Sequence, residues 1–363
     1  MNRILPTAAL ALLTLGACGD NTATEAPAQP LAGAEEPAPV QLDAPAVTAV
    51  RETDPVDTAE DAADDPEIWV DPADPSRSVV IGTAKKSGLF TYGLDGKQIQ
   101  FLPEGRLNNV DLRTMTVNGA DTVVVGASDR DKKAVALFKL DAATRQVSAL
   151  AERIPTGFTD PYGFCLYKSA SGTLYAFMTD KEKNAAQWRI DLADGTATAA
   201  KVRDLTLATQ SEGCVADDQT ATVYFAEENV GIWSFPAEPD QPATATPIIK
   251  LADNARLAAD LEGLAIYRGM TGNYLIASSQ GNSSFAVFDL GGGYAYKGSF
   301  IIAKGAVDGV TETDGIEVVS APLGVDFPGG LFVVQDGHNT DPDANQNFKL
   351  VSWDAIAKTL NLP

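Results

Sequence analysis

The sequence has 363 residues, 45% of them hydrophobic, and a formal net charge of −22 at pH 7. Its length is enough for one large globular core or two ordinary domains, and its negative charge argues against binding to nucleic acid, whose phosphates would be repelled. The single histidine, His338, excludes metal centres built from several imidazoles, so any metal would need oxygen ligands, which suit Ca²⁺ or Mg²⁺.

Residues 1–18 are typical of a bacterial lipoprotein signal. Arg3 gives a positive start, an apolar run too short to span a membrane follows, and the run ends in Leu15-Gly16-Ala17-Cys18. This ending resembles a lipobox, in which the cysteine becomes the lipidated N-terminus, so we expect lipid attachment at Cys18. An ordinary secretory signal with a chance cysteine is the alternative.

Residues 19–45 are rich in Ala, Pro, Glu and Thr, a composition that forms no core, and we expect them to be a disordered tether. They precede a domain that spans 46–363. Export, with the lipid holding the protein to a bacterial membrane facing the periplasm or cell surface, would put this domain in an oxidising compartment. There Cys165 and Cys214 either pair or remain two buried thiols.

A short pattern occurs six times along this domain: an acidic or polar residue, a small residue and then a hydrophobic run. The copies are centred on Pro66, Val110, Gly163, Gly213, Gly263 and Gly315. Their spacing of about 50 residues is typical of the four-stranded blades of a β-propeller.

Each copy is followed by an apolar strand, a polar tip and a second apolar strand, which predicts a hairpin in every repeat. In the first repeat, residues 79–81 lead through Lys85-Lys86-Ser87-Gly88 into residues 89–90. Residues 47–51 could supply the outer strand of the last blade and remove the unpaired sheet edges. The sequence therefore predicts an all-β, six-bladed β-propeller with four antiparallel strands per blade and an N-terminal strand that closes the ring.

In such a blade, the start of the innermost strand and the tip of the hairpin between the second and third strands lie at the same face. The strand starts contribute Asp64, Asp65, Asn108, Asn109, Asp111, Tyr162, Glu212, Asp260, Glu262 and Asp314. The tips contribute Lys85, Lys86, Arg130, Lys181, Glu227, Glu228, Gln280, Asn282 and Asp336. Cations belong to the first three repeats and carboxylates dominate the last three, so the face is predicted to have a basic half and an acidic half.

An acidic half rich in oxygen ligands suits Ca²⁺, and a basic half together with bound metal suits a polyanion. Calcium polarises P–O bonds and lowers the pKa of water, which supplies a nucleophile without His or Cys. The same Asp-Gly and Glu-Gly pairs can also simply mark turns, and crowded carboxylates can form purely structural calcium sites. Trp69, Trp188 and Trp233 fall in predicted strands and are expected in the core, whereas His338 is expected to be solvated.

These motifs resemble those of the β-propeller phytases, also called alkaline phytases, over residues 45–363. The resemblance is carried by several runs that occur in order at blade spacing. They include Asp64-Asp65-Pro66-Glu67-Ile68-Trp69, Leu107-Asn108-Asn109-Val110-Asp111, Asp260-Leu261-Glu262-Gly263-Leu264 and Ser278-Ser279-Gln280-Gly281-Asn282.

The resemblance implies a phosphoric monoester hydrolase of the 3-phytase type, which removes phosphate from phytate (myo-inositol hexakisphosphate) by direct attack of water activated by several Ca²⁺ ions. The implied metal ligands are Asp64, Asp65, Tyr162, Glu212, Glu228, Asp260, Glu262, Asp308, Asp314 and Asp336. The implied catalytic residues are Asp65, Lys85, Arg130, Tyr162, Lys181, Glu212 and Asp314. The expected substrate contacts are Lys85, Lys86, Asn108, Asn109, Asp111, Arg130, Lys181, Gln280 and Asn282.

The sequence departs from the family pattern in three places. Asp180 stands where glycine is usual, which would add negative charge beside Lys181; Glu317 replaces an aspartate; and the loop 338–344 differs in composition. We expect a monomer that meets the membrane only through its lipid anchor. The alternatives are a calcium-dependent lactonase or esterase, against which the basic half argues, and a non-catalytic calcium-binding propeller.

Overall fold

A computed structural model describes residues 42–193 and 195–363. The predicted signal, Cys18 and nearly all of the predicted tether lie outside these residues. The described part forms six sheets arranged as the blades of a β-propeller, each with four antiparallel strands that, apart from the N-terminal strand of the last blade, are consecutive along the chain. The predicted fold class is therefore confirmed.

The strands follow the predicted repeat. Two short strands, β1 (Ala46–Thr48) and β2 (Arg51–Glu52), precede the first blade. Blades one to three comprise β3 (Ala63–Trp69), β4 (Val79–Ala84), β5 (Gly88–Gly93), β6 (Gln98–Leu102), β7 (Leu107–Val117), β8 (Ala120–Asp129), β9 (Ala134–Asp141), β10 (Gln146–Ala149), β11 (Ile154–Pro155), β12 (Pro161–Lys168), β13 (Leu174–Asp180), β14 (Asn184–Ala193) and β15 (Thr196–Thr206). Blades four to six comprise β16 (Ser211–Asp217), β17 (Thr222–Glu227), β18 (Gly231–Pro236), β19 (Thr246–Lys250), β20 (Leu261–Arg268), β21 (Asn273–Ser279), β22 (Ser284–Asp289), β23 (Ala295–Ala303), β24 (Ile316–Val319), β25 (Leu331–Asp336) and β26 (Asn347–Ser352).

Helix is scarce in the described part. One α-helix, α1 (Trp353–Leu360), follows the last strand, and the 3₁₀ turns are Pro75–Arg77, Leu251–Asp253 and Gln280–Asn282. None of the described helices has the length and apolar character needed to cross a membrane.

An N-terminal strand closes the ring, as predicted, but it is displaced from the predicted residues. β2 is the outer strand of blade six, where Arg51 pairs with Leu350 and Glu52 with Lys349 in antiparallel register. β1, by contrast, pairs in parallel with β23 and adds a fifth strand to blade five. The N-terminal segment therefore joins the last two blades, and β2 pairs with the outer edge of β26.

The core lies between neighbouring blades. Trp69, Val79 and Ile81 of blade one pack with Val125 and Phe138 of blade two in one buried cluster. The second strands of these blades are apolar at successive positions because both of their faces are covered, one by each neighbour. Every blade therefore needs a partner on each side, which only a closed ring provides.

The tryptophans and cysteines refine the predicted core. Trp69 and Trp188 are buried as predicted, whereas Trp233 is only half-buried and its indole N–H donates to Glu227 Oε2 at 2.6 Å. Cys165 on β12 and Cys214 on β16 form a disulfide, with their Cα atoms 5.5 Å apart. This bond resolves the two alternatives left by the sequence and joins the innermost strands of blades three and four.

Candidate functional site

A β-bulge near the start of the innermost strand positions the predicted ligands. In blade one, Ala63 pairs with Ala84 and Pro66 with Gly82. Asp64 and Asp65 therefore both lie in the bulge, opposite a single residue of the neighbouring strand. The same shift occurs between Leu107 and Val110, Pro161 and Phe164, Ser211 and Cys214, and Leu261 and Leu264. A bulge breaks the strict alternation of side chains along a strand, which lets adjacent polar residues at these positions turn toward the axis of the ring.

Glycine follows the ligand in blades three to six because adjacent innermost strands approach closely there. A Cβ added to any of these four glycines would overlap an oxygen atom of the following blade, which no ordinary side chain tolerates. The distances from the added Cβ are 1.9 Å for Gly163 to the Glu212 carbonyl, 1.9 Å for Gly213 to the Glu262 carbonyl, 2.7 Å for Gly263 to the Asp314 carbonyl and 2.2 Å for Gly315 to Asp65 Oδ1. The repeated glycine therefore allows the ligand-bearing strands of adjacent blades to approach closely.

Three glutamates form the centre of the acidic half. Glu212, Glu228 and Glu262 are buried, and one carboxylate oxygen from each lies within 4.8 Å of the others. Burial, reinforced by repulsion among neighbouring carboxylates, raises the pKa of each carboxyl above its ordinary value. Glu262 Oε2 accepts no hydrogen bond from any described residue. The cluster therefore has oxygen atoms available to a cation.

Lys85 lies among carboxylates at the boundary between the two halves. Its Nζ is 2.7 Å from Asp61 Oδ1, 3.2 Å from Asp64 Oδ1 and 2.8 Å from Asp314 Oδ2. Burial alone would lower the pKa of Lys85, but the carboxylates, Asp64 foremost, raise it, so the ammonium stays charged. Burial raises the pKa of both Asp64 and Asp314 to about 7, and Glu212 adds repulsion at Asp64. Lys85 thus neutralises only part of the local negative charge.

Asp65 and Asp260 complete the predicted carboxylates of this face. Asp65 Oδ2 accepts the backbone N–H of Val110 at 3.0 Å, and burial raises its pKa well above the ordinary range. The Asp260 carbonyl accepts the backbone N–H of Gln280 at 2.9 Å, and the Gln280 amide donates to Asp314 Oδ1 at 2.6 Å. The hairpin tip of blade five, which contains Gln280, is therefore hydrogen-bonded both to Asp260 and to Asp314.

The cations of the basic half surround the ring of Tyr162. The Arg130 guanidinium carbon lies 5.8 Å and the Lys181 Nζ 4.3 Å from the ring centroid, and both contacts are favourable cation–π interactions. The Tyr162 hydroxyl is hydrogen-bonded to Glu212, and burial together with that carboxylate raises the pKa of Tyr162. Tyr162 therefore contacts the basic half with its ring and the acidic half with its hydroxyl.

Asn108 links the two halves through its side-chain amide. Its Nδ2 donates to Asp64 Oδ2 at 2.9 Å and to Glu212 Oε1, and its Oδ1 accepts from Arg130 Nη1 at 3.1 Å. Asn108 is fully buried. The structure therefore places this predicted substrate contact as a bridge between charged residues.

The remaining predicted substrate contacts lie in different surroundings. Asn109 is buried, whereas Lys86 is half-exposed and pairs with Glu60 at 3.2 Å. Asp111 pairs with Arg113 at 2.6 Å, and both residues line the cavity within the ring. The amide of Asn282 is directed into its own blade: its Nδ2 donates to the Arg256 carbonyl at 3.0 Å and its Oδ1 accepts from Ser284 at 2.6 Å. Lys86 is thus the most accessible of these four side chains.

Asp308 and Asp336 belong to a separate buried cluster around Lys349. The Lys349 ammonium pairs with Asp308, with Asp336 at 3.1 Å and with Glu52 at 2.6 Å. Burial raises the pKa of Asp336; at Asp308, the hydrogen bonds from Lys349 and Thr340 outweigh burial and lower the pKa. The cluster fastens the closing strand β2 to blade six. In the sequence, the feature that could have indicated this cluster is a lysine placed within the apolar run Phe348-Lys349-Leu350.

The departures from the family pattern are accommodated locally. The Asp180 carboxylate is buried and accepts the backbone N–H groups of Glu182 and Asn184, both at 3.0 Å. It therefore caps its own hairpin tip. Glu317 faces a cavity of about 220 Å³ within the ring, beside Asp111, where burial raises its pKa to about 8. His338 is exposed, as predicted, and lies 3.3 Å from Glu312.

Two residues of this face that sequence reasoning missed are Asp61 and Asp160. Asp61 contacts Lys85, and Asp160 makes a double hydrogen bond to Arg130. Both precede a repeat centre by a few residues, but a carboxylate in a loop carries no period that would distinguish it. The assembled face combines crowded carboxylates with three buried or half-buried cations. Its all-oxygen donors and the open Glu262 oxygen fit a hard divalent cation such as Ca²⁺, and its cations fit phosphate.

Comparison with known proteins places the chain among enzymes. The family model described as Phytase matches residues 2–362. The chain is 43% identical over 326 residues to a 3-phytase of Bacillus subtilis (strain 168), covering 86% of this chain and 85% of that protein. Among solved structures, a nidogen/laminin complex aligns with a TM-score of 0.44 and 13% identity over 72% of this chain and 82% of that one. A functionally unknown protein from Desulfotomaculum acetoxidans DSM 771 aligns with a TM-score of 0.44 and 15% identity over 64% and 70%.

Proposed function

Because the chain belongs to the phytase family, we propose that it hydrolyses phytate to lower inositol phosphates and inorganic phosphate, and that the reaction depends on calcium. The observation that carries this proposal is the contact between two opposite sets of charges at one face of the ring. Glu212, Glu228 and Glu262 crowd at one side, and Arg130 and Lys181 flank Tyr162 at the other. Phytate is a polyanion, so the acidic side needs added positive charge before the substrate can approach.

Calcium would be held first by Glu212, Glu228 and Glu262, whose carboxylate oxygens lie within 4.8 Å of one another. Asp65, Asp260 and Asp314, whose charges interact with those of the glutamates, would complete the set. Calcium, when bound, supplies positive charge to carboxylates and phosphates and lowers the pKa of a water molecule. The raised carboxyl pKa values support this assignment, because a bound cation would relieve the repulsion that contributes to them.

The cations of the basic half would bind the phosphate groups. Arg130 and Lys181 lie on adjacent blades and share the Tyr162 ring, so both can reach one phosphate or two neighbouring phosphates. In the reaction, a water oxygen bonds to phosphorus and gives up a proton, the bond from phosphorus to the inositol oxygen breaks, and that oxygen takes up a proton. A cysteine nucleophile is not offered by the described residues, since Cys165 and Cys214 are bonded to each other.

We also propose that the protein is exported and held to a bacterial membrane by a lipid on Cys18, acting as a monomer. The sequence of residues 1–18 supports this, and so does the disulfide, a bond that persists in oxidising compartments. Mass spectrometry of the mature N-terminus from membranes should show a diacylated cysteine. An unmodified N-terminus elsewhere would contradict the lipid anchor.

The proposed function is tested by phosphate release from phytate at buffered free calcium and again with excess chelator. We expect release with calcium and almost none with chelator. Glu228→Gln should lower the rate by about 100-fold because it removes one charged ligand, whereas His338→Ala, at an exposed position, should match the unmodified protein. Calcium-independent release would contradict the metal assignment. A folded protein that releases no phosphate would contradict phytate hydrolysis. A parallel assay with a lactone substrate would then separate the two alternatives: turnover would favour the lactonase or esterase, and no turnover would favour a binding protein.

A further inference from the structure

Asp160 makes the best-formed ion pair of the basic half. Arg130 donates from Nε to Asp160 Oδ1 at 2.9 Å and from Nη2 to Oδ2 at 2.8 Å. This bidentate geometry fixes both the position and the plane of a guanidinium. The hydrogen bond from Arg130 lowers the pKa of Asp160, so the carboxylate is charged at neutral pH.

The backbone of the same residue holds the second cation. The Asp160 carbonyl accepts the backbone N–H of Lys181 at 3.1 Å, at the point where the third-blade hairpin turns. The Lys181 ammonium then reaches the Tyr162 ring from that anchor. One residue therefore contacts both cation-bearing segments, Arg130 through its side chain and the Lys181 backbone through its carbonyl.

The hydrogen bonds of Arg130 to the described residues use only part of its guanidinium group. A guanidinium has five N–H groups; Asp160 takes two, and Asn108 takes one at 3.1 Å. The Arg130 side chain is only 11% exposed, so it has little room to adopt another rotamer. One N–H group on Nη1 and one on Nη2 therefore remain for the oxygens of a phosphate.

We propose that Asp160 is a positioning residue whose carboxylate orients Arg130 for a phosphate of the substrate; this inference rests on the proposed function. Its carboxylate is 37% exposed, so its repulsion of a bound phosphate is screened and amounts to no more than about fivefold in affinity. Misplacing a catalytic cation by about 1 Å costs on the order of 100-fold. Orientation therefore outweighs repulsion, and removing this acidic residue should weaken binding of a polyanion.

The experiment compares Asp160→Ala and Asp160→Glu with Asp131→Asn. Asp131 follows Arg130 in the same hairpin and is exposed, and it lies 3.9 Å from Arg106, so its neutralisation removes a like charge from the same region without touching Arg130. We measure kcat and KM for phytate, and separately the calorimetric affinity for the hexasulfate analogue of phytate in the presence of calcium. Thermal melting confirms that each variant is folded.

We expect Asp160→Ala to lower kcat/KM by about 30-fold and to weaken analogue binding by about 10-fold. Asp160→Glu, which keeps a carboxylate, should recover most of both losses, and Asp131→Asn should stay within about twofold of the unmodified protein. Equal values for Asp160→Ala and Asp131→Asn, or tighter analogue binding by Asp160→Ala, would overturn the inference. If the unmodified protein released no phosphate, the proposed function would fail, while analogue binding would still decide the role of Asp160.

Discussion

Blades one and two differ from blades three to six at a single position of the repeat. The first two carry Pro66 and Val110, whereas the other four carry glycine. In the glycine blades an added Cβ would lie 1.9–2.7 Å from an oxygen of the following blade, but Val110 keeps its side chain and donates its N–H to Asp65. The comparison teaches that the small residue is required where ligand-bearing strands crowd, and that it is dispensable elsewhere.

The same division appears in the charges. In the basic half, Arg130 is held in place by hydrogen bonds to Asp160 and Asn108. In the acidic half, Glu262 keeps an oxygen without a hydrogen bond, and the pKa of its carboxyl is raised by burial and then by Glu212. The protein's own residues thus hold the cations of the basic half in place, whereas the negative charge of the acidic half is neutralised only when cations bind.

The largest expected effect comes from filling the space of one glycine. Gly213→Ala places a Cβ against the Glu262 carbonyl, so strands β16 and β20 must separate, and activity should fall by at least about 100-fold. Unfolding free energy should fall by about 3 kcal/mol.

The matched control is Val110→Ala, which loses a similar amount of stability, about 2 kcal/mol, by leaving a small cavity. Its activity should stay within about threefold, since no ligand-bearing strand has to move. Denaturant unfolding and initial rates measure both quantities. Equal activity losses in the two variants would show that stability alone, not strand spacing, governs the site.

A smaller effect is expected in the pH dependence of stability, which the buried carboxylates control. In chelator, Asp64 and Asp314 have a pKa near 7 in the folded protein and near 3.8 when unfolded, so between these values the folded state binds more protons. Stability should therefore rise as pH is lowered from 8 to about 5, by about 5 °C in thermal midpoint. Calcium should flatten this slope, and so should Asp314→Asn. A midpoint that falls over this range in chelator would contradict the charge assignment.

The smallest effect is expected at Asp180. Because its carboxylate caps the turn through Glu182 and Asn184, Asp180→Gly should cost about 1 kcal/mol of stability and change KM for phytate by less than about twofold. Steady-state kinetics and thermal melting measure both. A large fall in KM would mean that this carboxylate opposes phosphate binding at Lys181, as the sequence alone suggested.

Much of this architecture could be predicted from the sequence because it is periodic. The spacing of the repeat gives six blades, and hairpin geometry places strand starts and tips at one face, which accounts for the convergence of Glu212 and Glu262. Contacts between residues far apart in sequence were not predictable. The pairing of Lys349 with Asp308 and the bridging role of Asn108 depend on three-dimensional packing, which no local pattern encodes. The closing strand was displaced for a similar reason, since residues 46–48 pair instead with the outer strand of blade five, a contact between residues far apart in sequence.

The central claim is that the acidic half binds calcium independently of the basic half. Calorimetric titration of Ca²⁺ into the chelator-stripped protein tests it most directly, with Glu262→Gln and Lys181→Gln as the two variants. We predict that Glu262→Gln weakens at least one calcium site by about 10-fold or more, and that Lys181→Gln binds calcium within about threefold of the unmodified protein while losing phytate turnover. A Glu262→Gln titration that matches the unmodified protein would contradict the account.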